Sequence, residues 1–241
     1  MTVLPRATIV HRQELTDEVW IIKLLPEIPF TFKPGQYITI GVNGIERPYS
    51  IVSAPHEELI ELFIELVPEG DLTPLLYEMG VGSSVSIRPR AKGLFTLDSN
   101  YTHHLMVGTV TGSVPYISIL RDYFEHRTQT GIFHVLEGAS YSDEFAYFNE
   151  FSTLATDNPA TVHYLPSISR PEEIRNSEWQ GSQGRINNLV EQYIDNVGLR
   201  KKETLVYLCG HPGMITDVTV SYTHLRAHET RHDLVCRLLL E

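Results

Sequence analysis

From Val3 to about Leu97, apolar and polar residues alternate with a period of two, broken at intervals by Gly, Pro and Asn. That rhythm predicts antiparallel strands, with one short helix among them. The segment Gly35 to Val42 alternates cleanly. Asn43-Gly44 then supplies the positive φ angles of a two-residue hairpin turn, and Ile45 to Ser53 returns as the partner strand. A last pair of strands is expected at Val85–Arg90 and Gly93–Leu97. Past Asn100 the pattern changes. Short apolar runs at His104–Val107, Ile132–Leu136, Thr161–Leu165 and Leu205–Leu208 alternate with helical stretches, as β-α-β units of a parallel sheet require. The helix after the first run puts Ile117, Leu120, Tyr123 and Phe124 on one face. The expected organisation is therefore residues 1–98 as a β-barrel, 99–218 as an α/β domain and 219–241 as a separate tail.

A chain of 241 residues with 42% hydrophobic content is an ordinary globular protein, large enough for two modest domains. Neither a leader-like amino terminus nor a bilayer-length apolar run is present, so a cytoplasmic protein without a membrane partner is expected. Two cysteines, Cys209 and Cys236, are too few for a disulfide framework or for the four thiolates of an iron–sulfur cluster, and no metal site is expected. Electron chemistry would need an organic cofactor. With 19 Lys plus Arg against 30 Asp plus Glu, the net charge of −11 argues against a nucleic-acid partner.

Four segments carry candidate chemistry. Arg47-Pro48-Tyr49-Ser50 lies on the return strand of the hairpin, where Arg47 and Tyr49 point to one face and Ser50 to the other unless Pro48 forces a bulge. Taken alone, Arg47 is a surface charge and Tyr49 a half-buried strand aromatic. In Gly70-Asp71-Leu72-Thr73-Pro74, Thr73 is placed as a helix N-cap with Pro74 at the first helical position, leaving free N–H groups for a phosphate. Gly108-Thr109-Val110-Thr111-Gly112-Ser113-Val114-Pro115 runs from a strand into a helix, where glycine allows close approach to a pyrophosphate or simply makes a turn. Cys209-Gly210-His211-Pro212-Gly213-Met214 ends the fourth run, and Cys209 is also readable as a small buried residue.

Together these segments resemble the ferredoxin/flavodoxin–NADP reductase family of bacterial type, over about Val3 to Val218. Arg-x-Tyr-Ser is similar to the family's flavin motif, and Cys-Gly-x-Pro-x-Met to its nicotinamide motif. The resemblance implies an all-β antiparallel FAD-binding barrel followed by an α/β parallel-sheet NADP-binding domain. It implies that Arg47 binds the FAD pyrophosphate, that Tyr49 lies on the isoalloxazine ring and that Ser50 bonds near flavin N5, with Pro48 shaping the strand. Gly70, Leu72 and Thr73 become further FAD contacts. Gly108, Thr109, Thr111, Gly112 and Pro115 are implied to hold NADP, with Ser169, Arg170 and Arg185 at its 2′-phosphate. Cys209, Gly210, Pro212 and Met214 are implied to surround the nicotinamide, Ser50 and Cys209 being the catalytic pair. The family commonly has a glycine where Val110 stands, so the loop is expected to approach the phosphates less closely.

The implied activity is hydride transfer between NADPH and FAD N5, coupled to a ferredoxin or flavodoxin partner, in a monomer. Such carriers are acidic, and Arg88, Arg90 and Lys92 are candidates for a basic docking face. Two other readings are a flavin reductase serving a hydroxylase or haem partner, and a non-catalytic flavin- or nucleotide-binding subunit.

The tail from about Thr219 departs from the family and resembles adapter read-through seen on unrelated chains. It replaces the helix and terminal segment with which family members continue. It contains His228-Glu229-Thr230-Arg231-His232, a zinc-protease pattern that lacks a downstream third ligand and is taken as an accidental match.

Overall fold

The computed structural model describes residues 4–126, 130–224 and 236–239. The chain divides into two compact units. One comprises the chain up to Leu97 together with helix α2 (Val114–His126); the other comprises Asp98–Ser113 and the remainder.

The first unit is an antiparallel six-stranded sheet. Its strands are β1 (Arg6–Glu14), β2 (Val19–Pro26), β3 (Tyr37–Val42), β4 (Ile45–Ser50), β5 (Ile60–Glu65) and β6 (Ser84–Ile87), in the order β4-β3-β6-β1-β2-β5. Val42 pairs with Ile45 across the hairpin, and Asn43 (φ 52°) and Gly44 (φ 84°) make the turn expected of Asn-Gly. Past β4, the Val52 N–H donates to the Glu61 carbonyl on β5, which curls the two outer strands toward one another. Inward-pointing Trp20, Ile22, Leu24, Ile38, Ile40 and Leu62 fill the interior. Each contributes about 2 kcal/mol or more by leaving water.

Two local expectations are corrected here. Gly93–Leu97 forms no strand; Tyr37 meets Lys92 in a single bridge, and the chain then turns at Gly93, whose φ is 106°. Helix α1 (Thr73–Tyr77) takes Leu72 as its N-cap, so Thr73 does not cap. The Thr73 Oγ1 accepts from the Val67 N–H at 3.0 Å and donates to the Val67 carbonyl at 3.1 Å, a closed loop that turns the hydroxyl back onto Val67 rather than toward the helix end.

In the second unit a parallel sheet has the order β10-β9-β8-β7-β11-β12. Its strands are β7 (His103–Thr109), β8 (Ile132–Ala139), β9 (Val162–Ile168), β10 (Ser182–Gln183), β11 (Thr204–Cys209) and β12 (Cys236–Leu239). Helices α3 (Phe148–Asp157), α4 (Ile186–Val197) and α5 (Pro212–His224) accompany it. Leu105, Val107, Leu136, Val190, Leu208 and Ile215 form the core on one face. The expected tail boundary at residue 219 falls inside α5, and Cys236–Leu239 pairs in parallel with Val206–Cys209. The His228–His232 pattern lies outside the described residues.

Three histidines from neighbouring strands form a row. The His134 ring stacks on that of His163 (centroids 4.9 Å apart, 13° between planes) and on that of His103 (5.4 Å, 22°). The Tyr193 hydroxyl of α4 lies 2.9 Å from His134 Nδ1. Burial, then the neighbouring His163, His103 and His104, bring the His134 pKa down to about 3.

Candidate active site

In the first unit the site is built from side chains on an edge strand. β4 pairs only with β3, and its register runs unbroken from Ile45 to Ser50. Pro48, which has no N–H to donate, therefore sits where an outer strand tolerates it, and no bulge forms. The undistorted pleat leaves Arg47 and Tyr49 on one face, with Ser50 opposite and buried. Tyr49 packs partly against the barrel core. The Arg47 guanidinium pairs with the Asp71 carboxylate and donates to the Glu46 carbonyl at 2.9 Å. That ion pair brings the Arg-x-Tyr-Ser strand and the Gly70–Thr73 loop together. Gly70 sits in a tight turn closed by its own N–H to the Val67 carbonyl, 2.9 Å away. Leu72 is buried in the core, so its side chain faces away from any ligand and only its backbone can make a contact. Of the candidate basic face, Arg88 is engaged by Glu46 at 2.6 Å, while Arg90 and Lys92 are both exposed.

In the second unit the site is built from backbone. All strands are parallel, so the segments following β7, β8, β9 and β11 leave the same end of the sheet. The strand order reverses direction beside β7, with β8 on one side and β11 on the other. Such a switch point, at the carboxyl end, is where open α/β sheets hold ligands. Here two turns interlock. The Thr109 Oγ1 accepts the His211 N–H at 2.8 Å. A Cβ added at Gly112 would lie 2.2 Å from the Cys209 carbonyl oxygen, and one at Gly210 (φ 116°) would lie 2.3 Å from Thr109 Oγ1. Only glycine fits either position. Cys209 is fully buried, Pro212 opens α5, Met214 belongs to the core below, and Thr111 is half-buried in the short turn Val110–Ser113. Pro115 is buried in the first turn of α2.

Val110 itself has φ 46°, a left-handed conformation that a β-branched residue adopts only under constraint. Its side chain packs on the cluster of Ala139, Phe145 and Ile168, and its carbonyl accepts from the Ser113 hydroxyl at 2.9 Å.

At the ends of β8 and β9 cations gather. Arg170 donates to the Tyr141 hydroxyl at 2.8 Å, and the Arg170 and Arg175 guanidinium groups lie 5.3 Å and 4.1 Å from the Tyr141 ring centroid. Arg175 also bonds Asp143. Ser169 is held by its N–H to the Ala139 carbonyl. Arg185 is the N-cap residue of α4, and the preceding Gly184 N–H donates to the Ile168 carbonyl, which places Arg185 beside the strand end that leads into Ser169-Arg170.

One residue within the sheet was not anticipated. Glu137 on β8 pairs with Gly108 and Pro166 on its neighbours and is buried. The Tyr164 hydroxyl donates to its Oε2 at 2.5 Å. Burial pushes its pKa up to about 7, against the Tyr164 bond and the nearby Ser113 hydroxyl, which hold it down. A charged residue interrupting the run Phe133–Ala139 was the sequence signal for it. Tyr141 and Arg175 had none beyond their place after a strand.

Residues 106–219 match the Oxidoreductase NAD-binding domain family. Over 202 residues the chain is 30% identical to the flavodoxin/ferredoxin–NADP reductase of Buchnera aphidicola subsp. Baizongia pistaciae, covering 81% of this chain and 80% of that one. The chain belongs to the flavodoxin/ferredoxin–NADP reductase family. Another family member, from Escherichia coli K12, is 28% identical over 221 residues, covering 85% of this chain and 84% of its own. The fold is also that of a ferredoxin–NADP+ reductase from Neisseria gonorrhoeae, with a TM-score of 0.80 and 22% identity over 95% of this chain and 93% of that one. The antiparallel barrel-like sheet and the parallel α/β sheet expected from the pattern are thus those of reductases of this family. Among the described residues no helix is long and apolar enough to cross a membrane.

Proposed function

We propose that the chain is an NADPH-dependent flavoprotein reductase that exchanges electrons with ferredoxin or flavodoxin, acting as a cytoplasmic monomer. The observation that carries the reading is the interlock of Gly112 on Cys209 and Gly210 on Thr109 at the switch point of the parallel sheet. It seats two turns directly on one another at the carboxyl end of β7 and β11, where a dinucleotide would meet backbone, while Thr109 and Thr111 supply hydroxyls. Arg170, two residues past Ile168, and Arg185, next to the Gly184 bonded to Ile168, both lie near the end of β9 and suit a 2′-phosphate; Arg175 and Tyr141 extend that cationic and aromatic surface. In the first unit the donor set suits a flavin nucleotide: a guanidinium and an aromatic ring on the same face of an outer strand, with the Ser50 hydroxyl one residue past the ring on the other face.

The residues divide the work. Arg47 holds a pyrophosphate through forked, charge-assisted bonds, exchanging its Asp71 partner for phosphate oxygens or sharing it with them. Tyr49 orients the ring system by stacking, and Ser50 offers its hydroxyl at the ring edge. Gly210 and Pro212 leave room for a nicotinamide, and Cys209 bounds that space with a small side chain. Bound FAD and NADP would supply hydride and single-electron redox chemistry, and the protein would supply position and field. Arg88, Arg90 and Lys92 steer an acidic carrier, with Arg88 tempered by Glu46.

Purified protein should carry FAD and oxidise NADPH far faster than NADH with an artificial one-electron acceptor. A colourless protein that takes up no flavin in excess would overturn the reading, and equal rates with the two nucleotides would remove the 2′-phosphate assignment.

A further inference from the structure

The first unit contains a second group of chemistry-bearing side chains that the reductase reading does not use. His56 lies in the turn after β4, while Asp122 and His126 lie one turn apart on α2, so the helix presents both on one face. The ligand atoms of the three residues all lie within 4.8 Å of one another. His126 Nδ1 is 3.3 Å from Asp122 Oδ1, and the His56 and His126 rings meet edge to face with centroids 5.9 Å apart. Both histidines are exposed and Asp122 is half-buried, so an ion can reach them from solvent.

An i,i+4 ion pair alone would account for Asp122 and His126. It does not account for His56, whose loop is tied to the helix on both sides. The buried Ser118 hydroxyl donates to the Ser53 carbonyl at 2.7 Å. Arg121 reaches Glu57 at 3.5 Å and Glu61 at 3.4 Å, and Glu57 Oε2 in turn accepts the Ala54 N–H at 2.6 Å. These bonds hold the loop in place without help from the three residues themselves. The cost of gathering the ligands is therefore already met by the fold, as a preorganised site requires.

We propose that His56, Asp122 and His126 form a binding site for a divalent transition-metal ion of the Zn2+ class, with two imidazole nitrogens and one carboxylate oxygen from the protein and water completing the shell. Tetrahedral Zn2+ with bonds of about 2.1 Å places neighbouring ligand atoms about 3.4 Å apart. The 3.3 Å between His126 Nδ1 and Asp122 Oδ1 is already of that size, and no ligand atom of the set lies more than 4.8 Å from another. Two imidazoles select Zn2+, Co2+, Ni2+ or Cu2+ over Mg2+ and Ca2+, which prefer all-oxygen shells. The bound ion clasps α2 to the loop after β4.

The test is Zn2+ binding to the full-length protein, measured by competition with a chromophoric chelator, in the native chain and in the His56→Ala, Asp122→Asn and His126→Ala variants. A His228→Ala/His232→Ala variant controls for the tail pattern. Each of the three site variants is expected to lose one equivalent of Zn2+ or to bind it more than tenfold more weakly. The tail variant should keep this equivalent, and excess Mg2+ should not compete. Zn2+ should raise the melting temperature of the native chain and not that of His126→Ala, whose metal-free melting temperature and NADPH turnover should equal the native values and so certify its fold. Unchanged stoichiometry and affinity in all three site variants, or loss confined to the tail variant, would overturn the proposal.

Discussion

The two edges proposed to face nucleotides are made from opposite materials. On β4 the working groups are side chains, Arg47 and Tyr49, displayed on a regular outer strand whose backbone is untroubled by what it carries. At the ends of β7 and β11 the working surface is backbone, and the side chains have been removed so that one turn can rest on another. The first kind of edge can exchange its side chains with little cost to the fold. The second kind cannot, because function and packing occupy the same atoms.

The comparison can be broken at four positions. The largest effect is expected for Gly112→Ala, which drives a methyl into the Cys209 carbonyl and should cost about 3 kcal/mol in urea denaturation, more than an ordinary core overpacking. If the variant is as stable as the native chain, the interlock is not tight. Next is Glu137→Gln. The folded carboxyl titrates near pH 7 and the unfolded one near 4.5, so the unfolded state binds fewer protons between these values and native stability falls as pH rises through them. The amide removes that fall, and the variant should be more stable than the native chain by roughly 3 kcal/mol at pH 8 while nearly matching it at pH 4.5. A native stability that does not decline relative to the variant would show the acid to be charged throughout. Third is Val110→Gly, where relief of a left-handed backbone, about 1–2 kcal/mol, offsets the lost packing and the added chain entropy. A change under about 1 kcal/mol is expected, against the several lost when an ordinary buried valine is removed. The smallest stability effect belongs to Arg47→Ala, an exposed ion pair contributing less than about 1 kcal/mol, although flavin should wash out on dialysis. Loss of fold rather than of flavin at Arg47 would erase the contrast between the edges.

What could be read beforehand follows the same division. The hairpin was legible because Asn43-Gly44 dictates its own φ angles and the alternation on each side has one solution. Arg47, Tyr49 and the parallel runs were legible because periodicity and residue type speak locally. Thr73 was misread because its hydroxyl found Val67, six residues back, a competitor that no local capping rule weighs. Gly93–Leu97 was misread because alternation without a partner makes no strand; Tyr37 offers Lys92 one bridge and then the chain leaves. Glu137 lay hidden because its meaning comes from Tyr164 on the next strand. The gathering of His56 with Asp122 and His126 depends on α2 packing with the first sheet, a long-range event with no signature in spacing.

Strand β8 has one more consequence. At one end it carries His134, whose imidazole resists protonation, and at the other Glu137, whose carboxyl resists ionisation. Acidification below about pH 6.5 strains the first, since the unfolded chain takes up the proton that the stacked rings refuse; alkalisation above about 4.5 strains the second. Between those limits the two slopes oppose each other. A single strand thus flattens the acid–base response of its own sheet, and severing either end should expose the slope of the other.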